Sequence, residues 1–209
     1  LDLLLFLTFE GIDGSGKSTQ IERAAAWLRA RGYDVLVSRE PGGTELGEAI
    51  RAILLDPRWS EMTARAEYFL YSASRAQVVE QVVRPHLQKP RAVMILDRYD
   101  DSSTAYQGGG RELGIAPIQT INHFATGGLV PDLTFVLDLD WETSVARRHQ
   151  AGMAADRLEQ NARDFFERVR LAYHTLAEHE PRMVLIDGSR NADDVFAQIE
   201  VRLERLVQA

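Results

Sequence analysis

The stretch Leu3-Leu4-Leu5-Phe6-Leu7-Thr8-Phe9-Glu10-Gly11-Ile12-Asp13-Gly14-Ser15-Gly16-Lys17-Ser18-Thr19 decides the fold. The apolar run from Leu3 to Phe9 is broken only by Thr8 and stops at Glu10. A run without polar alternation reads as a strand covered on both faces, as in a parallel sheet. It is too short to cross a bilayer. Gly11 to Thr19 then satisfies G-x-x-x-x-G-K-[ST] at every fixed position. Glycines in this loop permit a tight turn whose backbone N–H groups converge on phosphate oxygens. The helix opening near Lys17 adds its positive N-terminal dipole. Gly11, Ile12, Asp13, Gly14, Ser15, Gly16, Lys17, Ser18 and Thr19 are therefore the candidate nucleotide-binding loop. Lys17 is expected to bridge the β- and γ-phosphates, and the Ser18 hydroxyl to help hold Mg²⁺. Asp13 has two readings, a solvated turn residue or a functional acid.

Outward from this loop, short apolar runs alternate with longer amphipathic stretches. Asp34 to Val37, Val93 to Leu96, Leu133 to Leu139 and Met183 to Ile186 read as further strands. Helices are expected from the loop to Gly32, at Thr44 to Leu54, Thr63 to Val83, Trp141 to Gln150, Arg157 to Ala177 and Asp193 to Val207. Pro85 is expected to break or kink the third of these. The alternation predicts an α/β fold, a doubly wound parallel sheet of five strands flanked by helices. No linker divides residues 1–209, so one domain is expected. Ligands in such folds bind beyond the carboxyl ends of the strands.

Composition narrows the function. The chain has 209 residues, with 24 Lys and Arg against 31 Asp and Glu, for a formal charge of −7. That surface lacks the broad basic face of a general nucleic-acid binder, and no membrane partner is expected. The absence of cysteine excludes disulfides, thiolate metal sites and a cysteine nucleophile, and fits a cytoplasmic protein. The five histidines show no metal-binding spacing.

The third strand ends in Ile95-Leu96-Asp97-Arg98-Tyr99. An Asp there suits indirect Mg²⁺ binding in the Walker B role. The next residue is Arg98 rather than a water-activating Glu, and no N-K-x-D or T-K-x-D base-reading motif is present. A forked guanidinium at this place suits a second phosphate group, and hence phosphoryl transfer to another nucleotide. The alternative for Arg98 is a surface pair with Asp100 or Asp101.

Asp97-Arg98-Tyr99 runs on through Ser102, Ser103, Ala105, Tyr106, Gln107, Gly108, Gly109, Gly110 and Arg111. Arg39-Glu40-Pro41-Gly42-Gly43-Thr44 follows the second strand, and Asp156-Arg157-Leu158-Glu159 stands further on. With the phosphate loop, these motifs resemble bacterial thymidylate kinases of the nucleoside monophosphate kinase group over nearly the whole chain. The resemblance implies transfer of the γ-phosphoryl of ATP to dTMP, giving dTDP and ADP, by a Mg²⁺-dependent homodimer. It implies that Arg98 grips the acceptor phosphate and that Arg39, with Glu40 and Pro41, lies beside it. Arg75 would donate to thymine O4 and Tyr71 stack on the base, though Tyr71 also reads as a core aromatic. Ser102 and Ser103 would line the base pocket or simply cap a helix. Tyr106 would close off the ribose 2′ position, and Gln107 would contact substrate. Gly108 to Gly110 would set backbone geometry or form a plain loop.

The resemblance also places Asp13 near the sugar 3′-hydroxyl and the metal, and Ser189 near adenine unless it is only a turn residue. It further implies a lid at residues 147–159. Some relatives carry an arginine in the phosphate loop, where this chain has Gly14, or several in the lid. His149 to Ala155 contains none. Arg157 is accordingly expected to be the catalytic lid clamp, with Arg148 serving ATP and Arg147 a surface residue. The alternatives are another small P-loop nucleoside or nucleotide kinase, or a nucleotide-switched binding module.

Overall fold

A computed structural model describes residues 4–152, 157–158 and 161–208. Strands β1 (Leu5–Glu10), β2 (Asp34–Arg39), β3 (Ala92–Asp97), β4 (Leu133–Asp138) and β5 (Met183–Asp187) form one wholly parallel sheet in the order β2-β3-β1-β4-β5. The chain leaves β1 toward one edge and returns past it to β4, so the switch point lies at the end of β1. The register puts Arg39 and Phe9 on either side of Asp97. Residues just past these three strand ends are thus neighbours in space.

Both sheet faces are covered, as the continuous apolar strands demand. Helices α1 (Lys17–Arg29) and α9 (Ala192–Gln208) bury Ile21, Leu28, Ile199 and Leu203 against Leu7, Phe9, Ile95 and Phe135. On the other face Phe6, Met94 and Leu96 meet Val79 and Val83. Helix α2 (Glu45–Leu55) starts at Thr44, whose hydroxyl accepts from Gly47 N at 2.9 Å.

Helix α3 (Ala64–Val78) begins one residue after the expected start, with Thr63 as its cap. The chain then widens into a π-helical turn at Val79–Val83, in which Arg84 N bonds back to the Val79 carbonyl, and continues as α4 (Arg84–Leu87). Pro85 brings no N–H to the ladder, so the turn before it changes register instead of breaking.

Three stretches differ from the sequence-based expectation. Helix α5 (Asp100–Ser103) leads into a π-helical segment, Thr104–Gly110, where three glycines suggested a loop. Their small size serves close packing on α8 (Arg163–His179): a Cβ on Gly110 would lie 2.6 Å from Phe165 Cε2. Helix α6 (Ile115–Thr126) escapes the periodicity because Pro117 sits in its first turn, where proline is tolerated. Helix α8 begins at Arg163, not Arg157, which lies in a turn with Leu158. Helix α7 (Trp141–Gln150) carries the expected lid arginines 147 and 148. The rest of that lid falls partly at residues 153–156 and 159, outside the described residues. Among the described residues, no helix is long and apolar enough to cross a membrane.

Candidate active site

The loop after β1 is built on close backbone approach. Gly11 has φ 128°, and a Cβ there would stand 2.5 Å from the Leu137 carbonyl oxygen. Lys17 is buried at the start of α1 and donates to the carbonyls of Gly11 (3.0 Å) and Ile12 (3.1 Å). Burial and the nearby Arg98 charge pull its pKa below the usual lysine value, against the opposing pull of Asp13. Asp13, Gly14, Gly16, Lys17, Ser18 and Thr19 line a cleft with Asp97, Arg98, Arg147 and Arg148. Ser15 is buried behind the loop, as is Ile12.

Ser18 and Asp97 face that same cleft, and Asp97 Oδ1 is buried with no hydrogen-bond partner. Two hard oxygen donors, one of them unsatisfied, fit Mg²⁺, which typically takes one or two protein oxygens plus phosphate oxygens and waters. Among the described residues, no group of three or more His, Asp or Glu side chains could hold an ion by itself.

A second cleft adjoins the first. Pro41, Leu55, Tyr71, Ser102, Ser103, Tyr106, Gln107 and Leu158 line it, and Asp13, Glu40, Arg51 and Arg98 line both. Arg98 is the hinge between them. Its backbone is left-handed at φ 72°, a conformation that costs a non-glycine residue on the order of 1 kcal/mol. Its N–H is held by the Phe9 carbonyl at 3.0 Å. The guanidinium reaches Asp13 Oδ1 at 2.8 Å and Ser102 Oγ at 3.3 Å, and lies 5.2 Å from the Tyr106 ring centre. Burial would raise the Asp13 pKa, but Arg98 and then Lys17 outweigh it and hold it at about 2. Asp13 is therefore an ionised partner of Arg98, not only a turn residue.

Behind this cleft lies a buried polar wall that the sequence did not reveal. Glu10 has no exposed surface, accepts from Tyr99 N (2.7 Å) and Tyr173 OH (2.8 Å), and takes the Ser102 hydroxyl. Burial first, then Asp101, pushes its pKa up. Ser102 thus serves the wall as well as the cleft. Arg75 is also buried and does not line the cleft. It donates to Glu40 Oε2 (2.7 Å), Asn122 Oδ1 (2.9 Å), the Tyr99 carbonyl (3.1 Å) and Ser103 Oγ (3.0 Å). A buried carboxylate such as Glu40 needs this cation, which draws Arg75 inward. Burial nevertheless lifts the Glu40 pKa to about 7.

Other expected residues are placed differently. Arg39 lines the phosphate cleft but pairs with Glu48 at 3.0 and 2.9 Å. Arg148 lies over the phosphate loop, its Cγ 3.3 Å from where a Gly14 Cβ would sit. Arg147 is not a plain surface residue: it donates to the carbonyls of Gly188 (2.9 Å) and Ser189 (3.1 Å), tying α7 to the end of β5. Ser189 itself caps Asp187, with its hydroxyl 2.6 Å from Oδ1. Arg157 is not brought to the phosphate cleft; it is buried, ion-paired to Glu67 at 2.7 Å. Arg51 was missed; the available signal was its spacing on α2, four residues after buried Gly47 and three before buried Leu54, and in the fold it donates to the Pro41 carbonyl at 3.1 Å.

A phosphate loop at the switch point of a wholly parallel sheet, joined to a second cleft through an arginine, defines a P-loop nucleotide-binding protein of the phosphotransfer type. The chain matches the thymidylate kinase family over residues 9–199 and belongs to that family. It is 44% identical to the thymidylate kinase of Thermosipho africanus, covering 98% of this chain and all of that protein. It is 47% identical to that of Clavibacter michiganensis, over 98% of this chain and 97% of the relative. The crystal structure of thymidylate kinase from Ehrlichia chaffeensis superposes with a TM-score of 0.77 at 28% identity, covering 96% of this chain and 98% of that one.

Proposed function

We propose that the two adjoining clefts bind ATP and dTMP, and that the chain moves the γ-phosphoryl between them to give dTDP and ADP. The observation that carries this reading is the set of four residues shared by both clefts, with Arg98 at the junction. A phosphate monoester with a second pKa of about 6 is largely dianionic at neutral pH, so its oxygen attacks without a general base. The bond from the γ-phosphorus to the β,γ-bridging oxygen breaks as the new P–O bond forms, and ADP departs.

The protein's part is charge and position. Backbone N–H groups from Asp13 to Thr19 and the α1 dipole hold the donor phosphates. Lys17 exchanges its two carbonyl partners for β- and γ-oxygens. Arg98, aimed by ionised Asp13, holds the acceptor phosphate with Arg51, and Arg39 lies at the edge. Ser18 and Asp97 would hold Mg²⁺, which would supply positive charge to offset the negative charge of the transferring phosphates. Tyr71, Ser102, Ser103, Tyr106 and Gln107 enclose the nucleoside, with Glu40 and Pro41 at its side and Arg75 bracing Glu40 and Ser103. Arg148 and Ser189 sit toward the nucleoside end of ATP.

We further assign a homodimer working in the cytoplasm. Leu46 and Ile53 on α2, Phe69 on α3 and Phe124 on α6 are exposed, Phe124 at 88%, on three helices that pack side by side. A second copy covering them suits that apolar face. Phe124→Glu should shift the mass in sedimentation from dimer toward monomer.

The decisive test is ADP release with ATP, Mg²⁺ and each of dTMP, dUMP, dCMP, UMP, AMP and thymidine in turn. dTMP should give the highest kcat/KM; higher turnover of AMP or of a nucleoside would overturn the assignment.

A further inference from the structure

Glu67 lies on α3 with no exposed surface, and among the described residues three cationic or amide side chains converge on its carboxylate. Gln107 Nε2 donates to Oε1 at 2.8 Å, and Arg111 donates to both oxygens, at 3.3 and 3.0 Å. Arg157 Nη2 stands 2.7 Å from Oε2. Burial alone would push this carboxyl upward; Arg111, Gln107 and Arg157 together hold its pKa below the usual value.

Every one of these partners leads to the acceptor cleft. Gln107 lines it. Arg111 ends the π-helical segment that carries Tyr106 and Gln107, and its Nη1 holds Asn161 Oδ1 at 2.7 Å. Arg157 precedes Leu158, another lining residue, and donates through Nε to the Leu54 carbonyl at 2.8 Å, next to lining residue Leu55. A carboxylate can only accept, so Glu67 also fixes the Gln107 amide, with its NH₂ inward and its oxygen turned away from Glu67.

We propose that Glu67 is a positioning residue for the acceptor, and that Arg157 belongs to this tie rather than to the transferring phosphates. The proposal rests on the reading of the second cleft as the dTMP site. Glu67 joins α3, the end of α2, the π-helical segment and residues 157–158 into one wall. Without its charge, two guanidinium groups would share a buried place with no other anion between them among the described residues. The wall would then open on the acceptor side, leaving the phosphate loop intact.

The test is steady-state kinetics of the full chain, with dTMP and ATP varied separately. Glu67→Gln and Arg157→Ala should each raise the dTMP KM by about tenfold or more, with ATP KM and kcat changed by less than about threefold. The double variant should be no worse than the poorer single one, because both break the same tie. Arg157→Lys, which keeps the charge, should recover part of the loss. If Arg157→Ala instead cuts kcat by about 100-fold at unchanged dTMP KM, the arginine acts in the transition state and the proposal falls. Equal rises in both KM values would also overturn it, by showing a general structural role. Should Glu67→Gln fail to fold, Arg157→Ala alone decides between these outcomes. Arg98→Ala is run alongside: an unchanged dTMP KM there would remove the assignment of the cleft itself, whatever Glu67 does.

Discussion

The donor and acceptor clefts meet at Arg98 yet are made differently. The donor side centres on one contiguous loop and helix start, Asp13 to Thr19, with Asp97, Arg147 and Arg148 around it, and such a loop offers mainly backbone N–H groups to a phosphate. The acceptor side takes side chains from the ends of β2 and β3, from α2 and α3, from the π-helical segment and from the turn at Leu158. It also needs a second layer, with Glu10, Glu67, Arg75 and Tyr173 buried behind it. Backbone recognition needs only glycines and a helix terminus in the right order. Side-chain recognition needs every buried polar group to be satisfied by others, so the site extends well behind its visible surface.

The largest expected effect lies on the donor side. Lys17→Ala should lower kcat by roughly 100-fold or more, on the order of 3 kcal/mol, with the circular dichroism spectrum unchanged. Next comes the junction. Arg98→Ala should lower kcat/KM for dTMP by about 2–3 kcal/mol and leave the ATP KM nearly unchanged, since the forked charge serves the acceptor. Matching losses for both substrates would erase the distinction between the clefts.

A smaller effect should come from packing alone. Gly110→Ala forces a Cβ to within 2.6 Å of Phe165 Cε2 and 2.8 Å of Val169 Cγ2. It should cost about 1–3 kcal/mol of stability in urea unfolding and raise the dTMP KM more than the ATP KM. A variant as stable as wild type would show that α8 yields easily and that the wall is softer than its packing implies.

The smallest effect is a pH slope. The folded pKa of Glu40 is raised to about 7, above the free carboxyl value of 4.5, so the folded state holds a proton that the unfolded chain has lost. This contribution to stability is complete below the unfolded pKa and is lost as pH rises through about 7. Glu40→Gln removes the slope. Between pH 6 and pH 8 the stability of wild type should therefore fall relative to Glu40→Gln by about 1 kcal/mol, read as a shift of the Tm difference against wild type. A constant gap would mean that Arg75 keeps Glu40 ionised throughout, and that the wall is a fixed ion pair.

The resemblance carried by R-E-P-G-G-T, D-R-Y and A-Y-Q-G-G-G-R pointed to the acceptor residues, and most of them line the second cleft. It did not reveal which of them face the cleft and which face inward. Arg75 and Arg157 were expected at a ligand; both are drawn to buried carboxylates, Glu40 and Glu67. Arg147 was expected at the surface and instead braces the end of β5. An arginine's sequence position fixes its reach, but its partner depends on which buried anion most needs charge.

By itself the sequence determined the parallel sheet, the place of the phosphate loop at the end of β1, and Asp97-Arg98 beside it. Continuous apolar strands can only be buried on both faces, and the loop motif acts through its own backbone, so both are local properties. Tertiary structure alone decided the acceptor wall. It turned a triple-glycine stretch into a π-helical segment against α8, buried Glu10 and Glu67 without exposure, and chose their partners. These outcomes depend on contacts between residues far apart in the chain, where the cost of an unpaired buried charge outweighs local preference.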